Sequence, residues 1–214
     1  VITGNTYLDG KNYFTVAKVT PTGYDTSFGG LMSIGYSGIS LPVYQSNTTG
    51  LIDGVGKDIV VQPDGKIVAV GWQLFINSNN QNNGRYIIVT RLNADGTLDT
   101  SFNGTGIQTI NINGSDYANA VALQSDGKIV IGGYTENGNI TNALVARLNT
   151  DGTLDTTFDN DGIVTFSSAY DNNKFNDIAV QTDGKIIVCG QNSANDFLIV
   201  RYNTDGTLDT SFYM

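Results

Sequence analysis

One motif occurs four times along this chain, and each copy closes on a phenylalanine. The four closing segments are TPTGYDTSF, NADGTLDTSF, NTDGTLDTTF and NTDGTLDTSF, which end at Phe28, Phe102, Phe158 and Phe212. A second motif lies between them, as VQPDGKIVAVG, LQSDGKIVIGG and VQTDGKIIVCG from Val61, Leu123 and Val180. The closing residues are 74, 56 and 54 positions apart, a period typical of one multistranded propeller blade. We therefore expect a single repeat array over residues 1–214, with units of about 1–30, 31–102, 103–158 and 159–214.

Short runs rich in β-branched residues and bounded by Asp-Gly turns indicate buried strands. In the second unit they predict strand A from Asp58 (DIVVQ), strand B from Lys66 (KIVAVG), strand C from Tyr86 (YIIVTRLN) and strand D from Gly106 (GIQTINI). The first unit matches only strands B (VITGNTY), C (YFTVAKVT) and D (LMSIGY, from Leu31), and the last stops before its strand D.

The predicted fold is all-β. It is a β-propeller-type array of about four blades of up to four antiparallel strands, with the first and last blades incomplete. We expect three, four, four and three strands in the successive blades. Three interpretations of the incomplete blades stay open: an irregular segment closes a ring of four blades, the chain is a segment of a longer propeller, or its open edges pair with other chains.

The acidic composition reflects turn chemistry. The net charge is −9, and 19 of the 20 acidic residues are Asp, which is favoured in turns. An acidic chain with only four dispersed Arg residues is a poor match for phosphate backbones, so nucleic acid is not an expected partner. No apolar run approaches the roughly 20 residues of a membrane span, so membrane insertion is not expected either.

The sequence predicts no catalytic residues and no cofactor. It contains no His, which excludes Ser-His-Asp and Cys-His catalysis and His-ligated zinc sites. The alternative is a carboxylate-dependent hydrolase of glycosides or lactones with Glu136, the only Glu, as its acid. Calcium binding at the Asn-x-Asp-Gly turns is a weaker alternative. With Gly in the sixth loop position, the first ligand position falls on Arg91, Arg147 and Arg201, which would repel the ion.

Charged residues repeat at fixed distances from each closing Phe, which predicts a structural role. Lys18, Arg91, Arg147 and Arg201 each precede the closing Phe by 10 or 11 positions. Asp25, Asp99, Asp155 and Asp209 each precede it by three. We expect Arg91 to pair with Asp99, Arg147 with Asp155 and Arg201 with Asp209, or with nearby carbonyls, so that the turn is fixed to the blade.

The copies diverge mainly between strands B and C, in GNTYLDGKN, GWQLFINSNNQNNGR, GYTENGNITN and GQNSAND, and in the long segment SGISLPVYQSNTTGLIDGVG. In a propeller these segments share one face, which would present aromatic rings, including Tyr44, among amide side chains. Such a surface suits protein or glycan ligands, since rings stack and amides satisfy hydroxyl or backbone groups. Solvated turn-prone loops are the alternative. The candidate ligand-binding residues are Tyr7, Trp72, Gln73, Phe75, Tyr134, Glu136, Gln191 and Asn192.

The pattern Q-x-D-G-K-I-[VI]-V-x-G, followed by R-[LY]-N-x-D-G-T-L-D-T-[ST]-F, resembles the delta-60 repeat family. The match is close in units two to four and degraded in unit one, where TPTGY from Thr20 replaces the Asn-x-Asp-Gly-Thr-Leu stretch. The resemblance implies a tandem-repeat β-propeller-like fold, large secreted or surface proteins of bacteria, and no catalytic residues.

The expected function is a non-enzymatic extracellular repeat module, acting as a structural spacer or as a binding or adhesion platform of a bacterial surface protein. Its partners would be a protein or glycan ligand, or further copies or blades of the same protein. Two alternatives remain at this point: a self-assembling subunit that pairs through open edge blades, and the carboxylate-dependent hydrolase.

Overall fold

The computed structural model describes residues 1–8, 11–29, 39–40, 53–76, 81–112, 114–167, 172–194 and 196–212. Antiparallel sheets dominate these residues, and the one helix among them is a single 3₁₀ turn, Thr210–Phe212. Over the described ranges, then, no helix has the length and apolar character needed to cross a membrane. The chain forms two compact units, unit 1 (Val1–Asn111) and unit 2 (Ile112–Met214).

Unit 1 contains two blades and a small ribbon. Blade 1 is a three-stranded sheet of β1 (Ile2–Leu8), β2 (Lys11–Ala17) and β5 (Ile39–Ser40), in that order. The ribbon consists of β3 (Val19–Thr20) and β4 (Gly23–Tyr24). Blade 2 is a four-stranded meander of β6 (Gly54–Val61), β7 (Ile67–Ile76), β8 (Asn82–Leu92) and β9 (Ile107–Ile110).

Unit 2 contains two further blades of the same design. Blade 3 is a four-stranded meander of β10 (Ser115–Leu123), β11 (Ile129–Asn137), β12 (Ile140–Leu148) and β13 (Ile163–Phe166). Blade 4 has three strands, β14 (Lys174–Val180), β15 (Ile186–Gln191) and β16 (Phe197–Tyr202). All neighbouring strands pair antiparallel.

Among the described residues the four blades have three, four, four and three strands, as predicted. The strand positions need two corrections. Strand A of blade 2 begins at Gly54 rather than Asp58, and the third strand of blade 1 is Ile39–Ser40. The segment LMSIGY from Leu31, where strand D was predicted, lies outside the described residues, as do Tyr44 and most of the long segment around it.

The predicted loops between strands B and C were wrong in extent. The strands continue to Leu8, Ile76, Asn137 and Gln191, and in blade 3 only Gly138 and Asn139 separate β11 from β12. In blade 3 the ends of the two strands pair without interruption, since Asn137 lies opposite Ile140. In blade 2 the pairing also reaches Ile76, after one register shift between Leu74 and Ile76. A paired backbone satisfies its own hydrogen bonds, so polar side chains at the exposed end of a blade do not end the strand.

Each complete strand A carries a register shift opposite the glycine that ends the second motif. The shifts lie between Gly56 and Asp58, between Ala118 and Ala120, and between Phe175 and Asp177. In blade 3 a Cβ on Gly133 would overlap the carbonyl oxygen of Tyr117. The final Gly of the motif is therefore required because the bulged backbone of strand A approaches it closely.

The cores lie between consecutive blades within each unit. In unit 1, Phe14 and Phe28 of blade 1 pack with Ile67, Ala69 and Leu92 of blade 2. In unit 2, the buried core includes Val130, Val145 and Phe158 of blade 3 and Phe175, Val188, Val200 and Tyr202 of blade 4. The closing Phe of the repeat is thus a core residue, and Phe102 and Phe158 are fully buried.

A backbone joint links consecutive blades within each unit. The amide of Gly29 donates to the carbonyl of Asp95 at 2.7 Å, and the amide of Asp159 donates to the carbonyl of Asp205 at 2.9 Å. The next residue in the second of these turns, Gly206, has a φ of 92°. A Cβ there would lie 3.0 Å from the amide nitrogen of Asp159 and 3.1 Å from the Phe158 ring. Gly206 is therefore needed for two reasons: it adopts the positive φ of the turn, and it leaves room for the backbone of the preceding blade.

Candidate functional site

Blades 2 to 4 each contain one copy of a buried ionic arrangement, here called the Arg–Asp–Lys cluster. Its carboxylate comes from the Leu-Asp-Thr turn, where Asp99, Asp155 and Asp209 stand, and its guanidinium comes from the end of strand C. Arg91, Arg147 and Arg201 donate through Nε to one carboxylate oxygen at 2.6, 2.7 and 2.8 Å. The predicted Arg–Asp pairs are therefore present in all three blades.

The same carboxylate oxygen also accepts a lysine that the sequence analysis missed. Lys66, Lys128 and Lys185 lie 2.9, 2.9 and 2.7 Å from Asp99, Asp155 and Asp209. These lysines follow the A–B turn in the motif Asp-Gly-Lys, so a repeated signal existed in the sequence. In the structure each of these lysines contacts an Asp that lies 24 to 33 residues later in the sequence. Strands B and C run antiparallel, so the A–B turn and the Leu-Asp-Thr turn lie at the same end of the blade.

The second carboxylate oxygen is held by the residue two positions later. In blade 3, Asp155 Oδ1 accepts the amide of Thr157 at 3.1 Å and its hydroxyl at 2.7 Å. The Arg147 guanidinium also lies over the Phe158 ring, 4.5 Å from its centroid. Corresponding contacts involve Ser101 and Phe102 in blade 2, and Ser211 and Phe212 in blade 4. One cluster therefore fixes the turn, the strand and the closing Phe together.

These contacts determine the protonation state of the aspartates. Burial by itself raises the pKa of Asp99 and Asp155, but hydrogen bonds from Ser101 or Thr157 and from the Lys and Arg partners outweigh it. The pKa of both groups is therefore held well below the ordinary value. For Asp209, the hydrogen bond from Lys185 is the largest of the effects that lower the pKa.

Blade 1 has a reduced version of the cluster. Lys18 takes the place of Arg and lies 3.1 Å from Asp25, with 46% of its side chain exposed. The hydrogen bonds from Ser27 are the first cause of the lowered pKa of Asp25, and Lys18 adds to it. An exposed pair of this kind contributes little stability compared with the buried clusters.

The cluster of blade 3 also reaches into blade 4. Arg147 Nη1 donates to the carbonyl oxygen of Thr204 at 2.6 Å, and Gln124 Nε2 donates to the carbonyl oxygen of Gly184 at 3.1 Å. Asn119 Nδ2 donates to the carbonyl of Phe175 at 2.8 Å. Side chains of one repeat thus satisfy backbone oxygens of the next repeat in unit 2.

The predicted ligand-binding residues lie on strands, with one exception. Tyr7, Trp72, Gln73, Phe75, Tyr134, Glu136 and Gln191 belong to β1, β7, β11 and β15, and only Asn192 follows a strand. Gln73 is buried, with 6% of its surface exposed. Within each unit, the candidate residues therefore belong mainly to the ends of strand B rather than to loops.

Aromatic rings at these strand ends mostly contact neighbours within the same unit. Tyr134 stacks on Tyr117 with 4.5 Å between centroids, and the Lys174 ammonium lies 4.1 Å from the Tyr134 centroid. In blade 2, Arg85 lies 5.0 Å from the Trp72 ring and Phe75 stacks on Tyr86 at 4.3 Å. These rings are engaged in packing, which argues against their use as open stacking platforms.

Glu136 forms an ion pair across the junction of blades 3 and 4. Its carboxylate lies 3.0 Å from Lys174 Nζ, and about a third of each side chain is exposed. A glycosidase acid needs a second carboxylate at a defined separation, across the scissile bond. Glu136 contacts an ammonium group instead, so the geometry supports a salt bridge rather than an acid–base pair.

Among the residues that the structure describes, two aromatic side chains at the strand ends are largely exposed to solvent. Tyr7 in blade 1 is 71% exposed and Phe197 in blade 4 is 76% exposed. Phe197 lies opposite Gln191 in the strand pairing. The sequence analysis did not single out Phe197, although aligning the repeats places it where blade 3 has the fully buried Ala143. The replacement of a small Ala by a large Phe at this repeat position was the feature of the sequence that could have identified Phe197.

Comparison with known proteins identifies the repeat. A family model described as "Domain of unknown function (DUF5122) beta-propeller" matches residues 62–102, 124–158 and 181–212. Each matched segment runs from the A–B turn to the closing Phe, and so contains one whole Arg–Asp–Lys cluster. The family description does not mention the delta-60 repeat, so that resemblance stays a prediction.

Other comparisons add little. No curated protein matches the chain. A solved structure provisionally described as a gluconolactonase aligns with 16% identity and a TM-score of 0.35, covering 72% of this chain and 46% of that one. The chain therefore spans less than half the length of that protein. The three segments matched by the family model make up about half of the chain, and the chain accordingly belongs to the DUF5122 β-propeller family.

Proposed function

We propose that this chain is a non-enzymatic, extracellular repeat module, which serves as a structural spacer or as a binding or adhesion platform of a bacterial surface protein. Its expected partner is a protein or a glycan. Function on a repeat scaffold is expected where the copies differ, because the repeated positions are used to hold the blades together.

The observation that carries the proposal is the full use of the repeated charges in structural contacts. In blade 3 the carboxylate of Asp155 receives hydrogen bonds from Arg147, from Lys128 and twice from Thr157. Its depressed pKa keeps it ionised throughout the neutral range. A group that is permanently ionised and fully bonded is a poor general acid or base, which favours a structural role.

The exposed aromatics support a binding role at the opposite ends of the strands. Phe197 is exposed on blade 4 beside the exposed Gln191, and Asn192 follows at the start of the turn. An apolar ring next to amide groups suits a sugar face or a peptide. Tyr7 offers a similar exposed ring on blade 1.

The first experiment tests catalysis with chromogenic glycosides and lactones. We expect no turnover from the wild-type chain. Turnover that is lost in Glu136→Gln would overturn the non-enzymatic assignment and support the hydrolase.

The second experiment tests binding on arrayed glycans and on immobilised extracellular-matrix proteins. Phe197→Ser is expected to weaken any captured interaction at least tenfold. Leu208→Ser is the matched control, because Leu208 is also an exposed apolar residue of unit 2, with 41% of its surface accessible, and it lies in the Leu-Asp-Thr turn at the other end of blade 4. Equal binding by the two variants would remove Phe197 from the proposed surface.

A further inference from the structure

A polar cavity lies between blades 3 and 4 at the end of the strands where the A–B turns are found. Its volume is about 390 Å³, within the range of small-molecule sites. The lining residues that could contact a ligand are Ser125, Asp126, Lys128, Arg147, Thr204 and Asp205. They come from both blades of unit 2, so an occupant would contact both.

The cavity combines both signs of charge. Lys128 and Arg147 supply the positive charges of the lining, and Asp126 and Asp205 supply the negative ones. Lys128 Nζ and Asp126 Oδ2 are 4.0 Å apart. A small anion would meet two carboxylates there, and a small cation would meet an ammonium and a guanidinium. The mixture of charges therefore disfavours any ligand with a net charge.

Both hydrogen-bond donors and acceptors remain available in the cavity. Lys128 has three N–H donors, of which Asp155 accepts one at 2.9 Å. Asp205 Oδ1 accepts hydrogen bonds from the amide and the hydroxyl of Thr207. These two bonds do not involve Oδ2, the second carboxylate oxygen of Asp205. Over the part of the chain that the structure describes, Ser125 Oγ makes no hydrogen bond. A ligand that fits must both donate and accept at several points.

Arg147 gives the cavity a rigid wall. The residue is 4% exposed, and its guanidinium is fixed by Asp155, Thr204 and Thr157 at 2.7, 2.6 and 3.3 Å. A preorganised donor group loses little freedom when a ligand binds. No aromatic ring contributes to the lining, so recognition would depend on hydrogen bonds rather than on stacking.

We propose that this cavity is a binding site for a neutral, polyhydroxylated ligand the size of a monosaccharide. Adjacent hydroxyls of a sugar can donate to the carboxylates of Asp126 and Asp205 and accept from Lys128 and Ser125. Such a ligand satisfies both the negatively and the positively charged groups of the cavity. The site is separate from the surface around Phe197 and Tyr134. Tyr134 lies six positions after Lys128, along the extended chain of β11, which corresponds to a distance of roughly 20 Å. The proposed binding site in the cavity therefore does not depend on the proposed function of the surface around Phe197.

The test uses the methyl glycosides of glucose, galactose, mannose and N-acetylglucosamine, titrated into the ¹⁵N-labelled chain. We expect at least one glycoside to shift the backbone amides of Ser125, Asp126 and Thr204 in a saturable manner, with a Kd on the order of millimolar. Ser125→Trp, which fills the cavity, should weaken this binding at least tenfold. Thr182→Trp is the matched control, because Thr182 holds the same place in the A–B turn of blade 4 and does not line the cavity.

A second variant keeps the test informative if Ser125→Trp fails to fold. Asp126→Asn retains an oxygen for the Lys128 amide, which Asp126 Oδ1 accepts at 3.1 Å, but removes one acceptor and one charge. We expect it to weaken the glycoside several-fold. The proposal is wrong if no glycoside shifts these amides, if Ser125→Trp and Thr182→Trp bind equally well, or if inorganic phosphate or Ca²⁺ shifts them in place of the glycosides.

Discussion

Replacing Arg147 with Ala provides the sharpest test of the structural role of the Arg–Asp–Lys cluster. The side chain is nearly inaccessible, and the substitution removes its hydrogen bonds to Asp155 and to the Thr204 carbonyl together with its contact on Phe158. Breaking a buried ion pair by removing one partner typically costs about 3 to 5 kcal/mol. Here Lys128 still neutralises the carboxylate, so we expect a loss of about 2 to 4 kcal/mol in the free energy of unfolding.

The cluster also predicts an order among single substitutions. Asp155→Ala leaves two cations, Arg147 and Lys128, without their shared acceptor, so it should cost more than Arg147→Ala. Lys128→Ala should cost less than either, because about a quarter of the Lys128 side chain is exposed and Arg147 remains in place. Lys18→Ala in blade 1 is the control, with an expected loss of less than about 1 kcal/mol for an exposed pair.

Urea unfolding followed by far-UV circular dichroism measures these differences. The variants should lower the urea midpoint without a change in the native spectrum. The reasoning would be refuted if Arg147→Ala matched Lys18→Ala, or if Asp155→Ala were the mildest of the substitutions in blade 3.

Three further predictions concern acid, backbone and calcium. The depressed pKa values of Asp99 and Asp155 contribute stability that is fully present above their unfolded pKa near 4. That stability, on the order of 2 kcal/mol per buried cluster, should be lost as the pH falls below 4, which urea midpoints between pH 7 and pH 2 would show. Gly206→Ala places a Cβ at a φ of 92° beside the Phe158 ring and should cost about 2 to 3 kcal/mol. Gly138→Ala, at a φ of 61° with no atom within 4 Å of the added Cβ, should cost only about 1 kcal/mol, and urea unfolding at pH 7 would measure both losses. Millimolar Ca²⁺ should leave the melting temperature unchanged, because the Asp of each Asn-x-Asp-Gly turn already accepts two hydrogen bonds from the Thr two residues later. A rise of several degrees in the melting temperature would contradict this prediction.

Repetition explains why so much of the blade could be predicted. Each turn and strand appears three or four times with different neighbours, so the features required by the blade stand out from those that vary. The pairing of Arg147 with Asp155 was predictable because Arg147 lies at the end of strand C, only eight residues before Asp155 in the turn that follows. The partner Lys128 was missed because it lies 27 residues from Asp155, and only the pairing of β11 with β12 brings them together.

The ends of strand B show where the sequence was insufficient. Their polar residues have the composition of loops, and the sequence carries no direct sign that a partner strand satisfies their backbone. Gln73 and Tyr134 therefore appeared as loop residues, whereas the structure buries the first and stacks the second on Tyr117. Side-chain contacts between neighbouring blades, such as that of Lys174 with Tyr134, depend on packing that no single repeat encodes.

The joint between blades bears on how such a chain changes in length during evolution. The two joints use equivalent positions of the repeat: the amide after the closing Phe of blade 1 or blade 3, Gly29 or Asp159, donates to the Asp-Gly turn of the following blade, at Asp95 or Asp205. Recombination between two repeats at equivalent positions restores an intact joint at each new boundary. Whole repeats can therefore be gained or lost without a compensating mutation elsewhere, whereas the residues that differ between copies are free to diverge after each duplication.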